Sequence, residues 1–249
     1  MLTLLCTLAH AGPASATIAT VLDGDSFVLD SGEHIQLRGV VAPSAREDYG
    51  IEARELVRVL VGEGEVFLTY PEDEGPKRAS VQTLEGDLAS SLLEQGFAYL
   101  SMASPEDIDL TMLSQAQQTA RSARRGIWGT ARFAGELHIA AFVANAEGDD
   151  RENVNGESLT LCNIGAQPLS LDGYTLRDKG GNIWALPPMA VPVGYSVVVR
   201  SGVGTNQTDS TASMVVYLGS DRPIWNNADD QATLMDRAGR VVDAVQQRR

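Results

Sequence analysis

After residue 137 the chain shows no helical periodicity, and this feature constrains its fold more than any other. Short apolar runs alternate there with turn residues at intervals of about ten positions, a pattern typical of a β-sandwich. The runs are Ile139–Val143, Ser158–Leu161, Gly173–Leu176, Ile183–Leu186, Tyr195–Val199, Val215–Leu218, Ala232–Met235 and Val241–Val245. The sequence therefore predicts an all-β domain over residues 138–246, which a short linker joins to the first part of the chain.

The first part of the chain instead mixes short strands with amphipathic helices. Three apolar runs joined by tight turns, Thr17–Leu22, Ser26–Leu29 and Ile35–Val41, predict a β-meander. Apolar residues at i, i+3 and i+4 spacing then predict a helix over Ile51–Val61, and Gly62 ends it.

Two more strands and two more helices follow in this part. The strands are predicted over Val66–Tyr70 and Ala79–Leu84. Asp87 as an N-cap and Gly96 as a left-handed residue bound a helix over Leu88–Gln95. The order of elements predicts an α+β domain over residues 17–132, an OB-type five-stranded barrel with helices.

The last helix of this domain is predicted to begin at Ser104. Ser104 is an N-cap candidate, Pro105 fits the first helical position, and Asp107 completes a capping-box spacing. Near its other end the helix carries three arginines, Arg121, Arg124 and Arg125. These form either a nucleic-acid patch or a solvated helix end whose dipole favours cations, and the surrounding negative charge favours the second interpretation.

The first sixteen residues, MLTLLCTLAHAGPASA, have the pattern of a secretory signal peptide. A short apolar run, Leu2–Leu8, precedes two small-x-small cleavage candidates, Ala9-His10-Ala11 and Ala14-Ser15-Ala16. Neither this run nor any later one is long enough to span a bilayer. We expect a signal peptide over residues 1–16 and a protein that is secreted, periplasmic or held in the cell envelope. The alternative is an N-terminal strand.

The net charge of the chain argues against strong binding to nucleic acid. The formal net charge is −14 and the isoelectric point is near 4.5. Because contacts from Lys and Arg to phosphates supply most non-specific affinity, only weak binding to single-stranded nucleic acid is expected.

Five segments of the first part resemble the staphylococcal-nuclease-like (thermonuclease) family. They are VLDGDSFVL, IQLRGVVAPS, YGIEARELVRVLVG, LLEQGFAYL and ARSARRGIWG, and the resemblance covers most of residues 17–129. It implies calcium-assisted hydrolysis of DNA or RNA phosphodiesters. It also implies that Asp25, in the first hairpin turn, matches a carboxylate that binds Ca²⁺.

Three positions of this chain depart from the active-site pattern of the family. The family places a phosphate-clamping Arg, a calcium-binding Asp and a water-activating Glu where this chain has Gln36, Val41 and Ser44. Valine offers calcium no oxygen, glutamine carries no charge to offset a developing negative charge, and serine is no base at neutral pH. The departures predict a degenerate active site.

Substitute residues for the catalytic roles are nevertheless available. Arg38 lies two positions after Gln36 and would share its face of a strand, so it could supply a displaced guanidinium. Glu47 follows Ser44 in the loop and could act as a base. The second phosphate-clamping Arg of the family falls at Lys77 or Arg78. Each of these residues is otherwise a surface charge beside a loop.

The second part resembles the lamin-tail domain, an immunoglobulin-like β-sandwich, over residues 138–245. Three motifs carry the resemblance: Gly156-Glu157 after an acidic loop, Leu171-Asp172-Gly173-Tyr174, and Trp225-Asn226-Asn227. It implies an adhesion or targeting module and transfers no catalytic residues. Cys162, in the middle of a strand, is interpreted as a small buried apolar residue.

The combined prediction is a secreted nuclease-like pseudo-enzyme with a binding or assembly role. Its partners would be single-stranded nucleic acid, weakly, and an envelope or extracellular protein contacted through the lamin-tail domain. The alternative is an active calcium-dependent endonuclease with rearranged catalytic residues. Ca²⁺ is the cofactor expected in that case, and none is expected otherwise.

Overall fold

The computed structural model describes residues 13–70, 78–103, 108–210 and 213–248. The strands of the first part are β1 (Ala14–Val21), β2 (Ser26–Leu29), β3 (His34–Leu37), β4 (Val40–Val41), β5 (Glu65–Thr69), β6 (Arg78–Thr83), β7 (Gly86–Asp87) and β8 (Tyr99–Leu100). Its helices are α1 (Gly50–Val61), α2 (Leu88–Gln95) and α3 (Leu110–Ser122), with a 3₁₀ turn at Gly126–Gly129.

Strands β1, β2, β3, β5 and β6 form a closed barrel. β1 pairs antiparallel with both β2 and β5, and β2 and β5 pair in turn with β3 and β6. A parallel pairing of β3 with β6 closes the barrel. Along β5 the side chains alternate, because Val66 and Leu68 are buried while Phe67 faces outward. The predicted OB-type five-stranded barrel is confirmed.

The third predicted strand, Ile35–Val41, is interrupted in the structure. β3 ends at Leu37, and a turn with Gly39 at φ 75° separates it from β4. β4 leaves the barrel sheet and pairs with β8. The prediction of one continuous strand was wrong because a left-handed glycine redirects the chain to a different partner.

Helix α2 has the boundaries that its capping residues predict. The Asp87 side chain accepts a hydrogen bond from the Ser90 amide at 2.7 Å, and Gly96 takes φ 70° at the other end. A short polar N-cap and a left-handed glycine therefore define this helix from local sequence alone.

Helix α3 begins later than the capping-box spacing predicts. Its first residue is Leu110, and the Asp109 side chain caps it by accepting the Met112 amide at 3.0 Å. Ser104, Pro105 and Asp107 lie outside the described residues. The predicted start was wrong because Ile108 and Asp109 are not helical, and Asp109 supplies the capping carboxylate instead.

The second part is strand-rich throughout. Its strands are β9 (Leu137–Val143), β10 (Ser158–Asn163), β11 (Leu169–Ser170), β12 (Thr175–Arg177), β13 (Ile183–Ala185), β14 (Ala190–Val191), β15 (Ser196–Arg200), β16 (Met214–Tyr217), β17 (Asp229–Met235) and β18 (Val241–Arg248). One sheet has the order β16-β15-β10-β9 and the other β13-β12-β17-β18, and β11 pairs with β14. Their inward faces share one core, consistent with the predicted immunoglobulin-like sandwich.

A third apolar cluster lies where the barrel part meets the sandwich, and we call it the junction cluster. It consists of Tyr99, Ala120, Ile127, Trp128, Phe133, Cys162 and Ile164. Cys162 is fully buried in it, as predicted, and its Sγ donates to the Leu100 carbonyl at 2.9 Å. Because barrel, linker and sandwich all contribute side chains, the two parts pack against each other through a shared core.

The chain N-terminal to the barrel falls largely outside the described residues, which begin at Pro13. Ala14, Ser15 and Ala16, one of the two cleavage candidates, belong to β1 and pair with Leu68, Phe67 and Val66 of β5. Within the described part of the chain, no helix has the length and apolar character needed to cross a membrane.

Candidate functional site

A cavity at the junction of the two parts occupies the place where the family resemblance locates the catalytic cleft. Its volume is about 160 Å³. On the barrel side it is lined by Gln36, Val41 and Arg78, and on the sandwich side by residues that include Thr160 and Ser196. Three positions at or beside the family's catalytic residues therefore converge, but they face the sandwich instead of an open groove.

Val41 takes part in the apolar contact between the two parts. It pairs with Tyr99 across β4 and β8, and its side chain packs against the junction cluster. The position at which the family resemblance expects a calcium-binding carboxylate thus contributes apolar surface to a shared core.

Asp25 lies in the turn between β1 and β2 and is 6% exposed. Its Oδ2 accepts a hydrogen bond from the Ala42 amide at 3.0 Å. Burial raises the pKa of Asp25 to about 8, and a hydrogen bond with the Asp23 side chain together with its charge raises it further, against the lowering effect of the Ala42 amide. The carboxyl is therefore mostly protonated at neutral pH and holds the hairpin against the segment after β4.

Glu47 forms an ion pair with Arg132, a residue of the linker 85 positions later. Its other oxygen accepts the Ser44 amide at 2.9 Å. Partial burial acts to raise the pKa of Glu47, but the hydrogen bonds from Arg132 and Ser44 outweigh it and lower the pKa. The carboxylate is ionised and engaged with Arg132, outside the junction cavity.

Arg38 does not accompany Gln36 on a strand face. It follows the end of β3, its side chain is 4% exposed, and it is not among the residues that line the junction cavity. Its backbone amide donates to the Ala79 carbonyl at 3.1 Å. Lys77 lies outside the described residues, so of the candidate clamping residues only Arg78 is placed in the cavity.

Two family models match the chain one after the other. The model described as Staphylococcal nuclease homologue matches residues 34–130, and the model described as Lamin Tail Domain matches residues 130–249. The chain is a staphylococcal nuclease homologue domain followed by a lamin tail domain. This confirms the resemblance that the sequence motifs indicate. A search of curated proteins finds no match.

Polar side chains of α3 fasten the lamin tail domain to the nuclease homologue domain. Gln117 is fully buried, accepts the Leu100 amide at 2.7 Å and donates to the Ile164 carbonyl at 3.4 Å. Arg121 donates to the carbonyls of Ile164 and Gly135, both at 3.0 Å. Arg121 is therefore neither part of a nucleic-acid patch nor a solvated helix end, because its guanidinium bonds to the linker and the lamin tail domain.

Backbone hydrogen bonds extend this attachment beside the cavity. The Met102 amide donates to the Gly194 carbonyl, and the Ser196 amide donates to the Met102 carbonyl, both at 2.8 Å. The Ser101 and Ser196 hydroxyls lie 2.8 Å apart. The chain after β8 thus runs alongside the start of β15 as a short ladder between the domains.

The residues of the nuclease homologue domain do not form a calcium site. Calcium takes six to eight oxygen ligands, and carboxylates supply the charge. Here Asp25 is buried with a raised pKa, Val41 has no ligand atom, and Glu47 is paired with Arg132. Among the described residues no group of three or more acidic, His or Cys side chains could hold a metal ion.

The structure thus brings some of the predicted site residues together and separates others. Arg78 joins Gln36 and Val41 in the cavity, whereas Asp25 and Glu47 do not line it. Sequence reasoning missed Arg132 because its partner lies 85 positions away and neither residue belongs to a shared motif. The alternating charge of a linker Arg and a loop Glu gave no signal that they pair.

Proposed function

We propose that this protein is a non-catalytic nuclease homologue that acts in binding or assembly. The observation that carries the proposal is the junction cavity, in which Gln36 and Val41 face the lamin tail domain. A nucleic-acid strand needs an open groove to reach the catalytic positions. The lamin tail domain occupies the space in front of them.

The chemistry of the remaining groups supports the same proposal. Neither an ionised metal-binding cluster nor a phosphate clamp opposite a free carboxylate is present among the described residues. Positioned acid–base catalysis alone contributes about 10²–10⁴-fold, and electrostatic stabilisation of the transition state contributes as much again. Loss of both leaves little activity by the mechanism of the family.

The partner-binding role is proposed for the outer surfaces of the joined domains. A buried junction of this kind presents the two domains as one body, and the lamin tail domain offers the larger surface. We propose an envelope or extracellular protein as its partner, with export by the N-terminal segment. Single-stranded nucleic acid is proposed only as a weak ligand, because the net charge is −14.

A cleavage assay on the full chain tests the proposal. Denatured DNA and RNA are incubated with the protein in calcium and in chelator, and we expect no calcium-dependent cleavage. Cleavage that calcium supports and chelator abolishes would instead establish the active endonuclease. The triple variant Gln36→Arg, Val41→Asp, Ser44→Glu is the companion experiment, and we expect it to stay inactive while the lamin tail domain covers the cleft.

A further inference from the structure

The junction cavity contains an arginine that has no protein partner. Arg78 begins β6 and lines the cavity, and its Nε is buried without a hydrogen-bond partner among the described residues. Arg54 provides the contrast, because its Nε is also unpartnered but its terminal nitrogen contacts Glu55 at 3.4 Å. A guanidinium carries five donors, and burial without acceptors is costly. An acceptor is therefore expected beside Arg78.

The lining of the cavity has the chemistry of an anion site. Besides Arg78 it presents the amide of Gln36 and the hydroxyls of Ser101, Thr160 and Ser196. No carboxylate is among the described residues that line it, although the chain as a whole has a net charge of −14. One arginine surrounded by neutral hydrogen-bond donors suits an oxyanion, since charge-assisted bonds to Arg are the strongest of this kind.

The size of the cavity limits what the ligand can be. At about 160 Å³ it has room for about five water molecules. Sites for nucleotides and drug-sized molecules enclose about 300 Å³ or more. The cavity therefore accommodates a small inorganic oxyanion with a few waters and excludes a nucleoside monophosphate.

We propose that the junction cavity binds one small oxyanion of the size of sulfate or phosphate between the two domains. Arg78 of the nuclease homologue domain holds its charge, and Thr160 and Ser196 of the lamin tail domain supply hydroxyls. Because both domains contribute contacts, the bound anion stabilises their attachment by mass action. This proposal does not depend on whether the barrel cleaves nucleic acid.

The test is a calorimetric titration of the full chain with inorganic phosphate at constant ionic strength, which sodium chloride maintains. We expect saturable binding to the wild type with half-saturation at about 1 mM or below. Arg78→Met should weaken it at least tenfold, and Thr160→Val should weaken it by a smaller factor. Arg54→Met is the matched control, because that guanidinium keeps a carboxylate partner, and it should bind phosphate like the wild type.

Thermal unfolding supplies a second readout. Sulfate and phosphate stabilise most proteins at high concentration by exclusion from the surface, so the informative shift is one that saturates at millimolar phosphate and disappears in the Arg78 variant. Arg78→Lys keeps the charge without the planar fork and is expected to bind several-fold more weakly. It serves as the binding variant if Arg78→Met does not fold.

Three outcomes would overturn the proposal. The first is no saturable phosphate binding by the wild type. The second is binding that neither Arg78 variant weakens, which places the anion elsewhere. The third is a nucleoside monophosphate that binds as tightly as phosphate, which requires an open groove instead of an enclosed cavity.

Discussion

The two halves of the cleft in the nuclease homologue domain differ in what holds their side chains. At the first hairpin, Asp25 matches the family pattern and is buried against the Ala42 amide. At the β3–β4 segment, Gln36 and Val41 depart from the pattern and face the lamin tail domain. The matching residue contributes to a turn within the barrel, and the departing residues contribute to a domain contact. Agreement with a catalytic pattern at one position therefore does not indicate that its chemistry is present.

The largest effect is expected from Val41→Asp, which places the family's carboxylate at the junction. Its side chain would enter a partly buried site against the junction cluster, where no cation is available to pair with it. Burial of an unpaired charge should lower the free energy of unfolding by about 2–4 kcal/mol. Urea denaturation of the full chain measures this change.

The matched control for that substitution is Val59→Asp on α1. Val59 is 76% exposed, so the same chemical change should cost less than about 1 kcal/mol. If Val41→Asp proves equally mild, the β3–β4 half is open to solvent and the contrast between the two halves fails.

A somewhat smaller effect is expected from Gln117→Leu, which removes the polar bridge between the domains. The substitution keeps the side-chain volume but leaves the Leu100 amide without its buried acceptor. We expect a loss of about 1–3 kcal/mol in the free energy of unfolding. Gln115→Leu, at an exposed position of the same helix, should be nearly neutral. Equal stability of the two variants would indicate that the domains do not depend on this bridge.

The architecture of both domains was predictable from sequence because it depends on local periodicity and turn residues. The α2 caps at Asp87 and Gly96 illustrate this, as do the alternating residues of β5. The errors arose where tertiary pairing overrode the local pattern, at the break between β3 and β4 and at the start of α3. A strand that changes partner carries no periodic signal.

The candidate site was predictable in identity but not in arrangement. The motif located Gln36, Val41 and Arg78 near one another, and the cavity contains all three. That the lamin tail domain would cover them was not predictable, since the contact depends on Gln117, Arg121 and backbone groups far apart in the chain. Side-chain identity indicates which chemistry is missing, whereas only the fold shows what fills the space.

Asp25→Asn tests the other half of the comparison through its pH dependence. The folded-state pKa of about 8 lies above the ordinary value of 3.8, so the favourable contribution of Asp25 is complete below pH 4 and is lost as the pH rises to 8. Asparagine keeps an acceptor for the Ala42 amide and does not titrate. Relative to the wild type, the variant should therefore gain on the order of 2 kcal/mol between pH 4 and pH 8.

Denaturation curves at several pH values, each with calcium and with chelator, measure this gain. We expect calcium to leave the wild type and the variant unchanged. Stabilisation of the wild type by calcium, lost in Asp25→Asn, would show that Asp25 is a metal ligand and that the hairpin half retains the chemistry of the family.

The smallest effect is expected from the ion pair between Glu47 and Arg132, which lies outside the cavity. A double-mutant cycle with Glu47→Gln and Arg132→Gln should give a coupling of about 0.5–1 kcal/mol at low salt, because both side chains are more than one-third exposed and solvent screens them. The pKa of Glu47 is lowered in the folded protein, so this contribution is present at neutral pH and is lost as the pH falls through the lowered value. The pair Arg58 and Glu55, more exposed on α1, should show weaker coupling. A Glu47 that instead changes cleavage of DNA without changing stability would be a base, and the domain would have to be regarded as an enzyme.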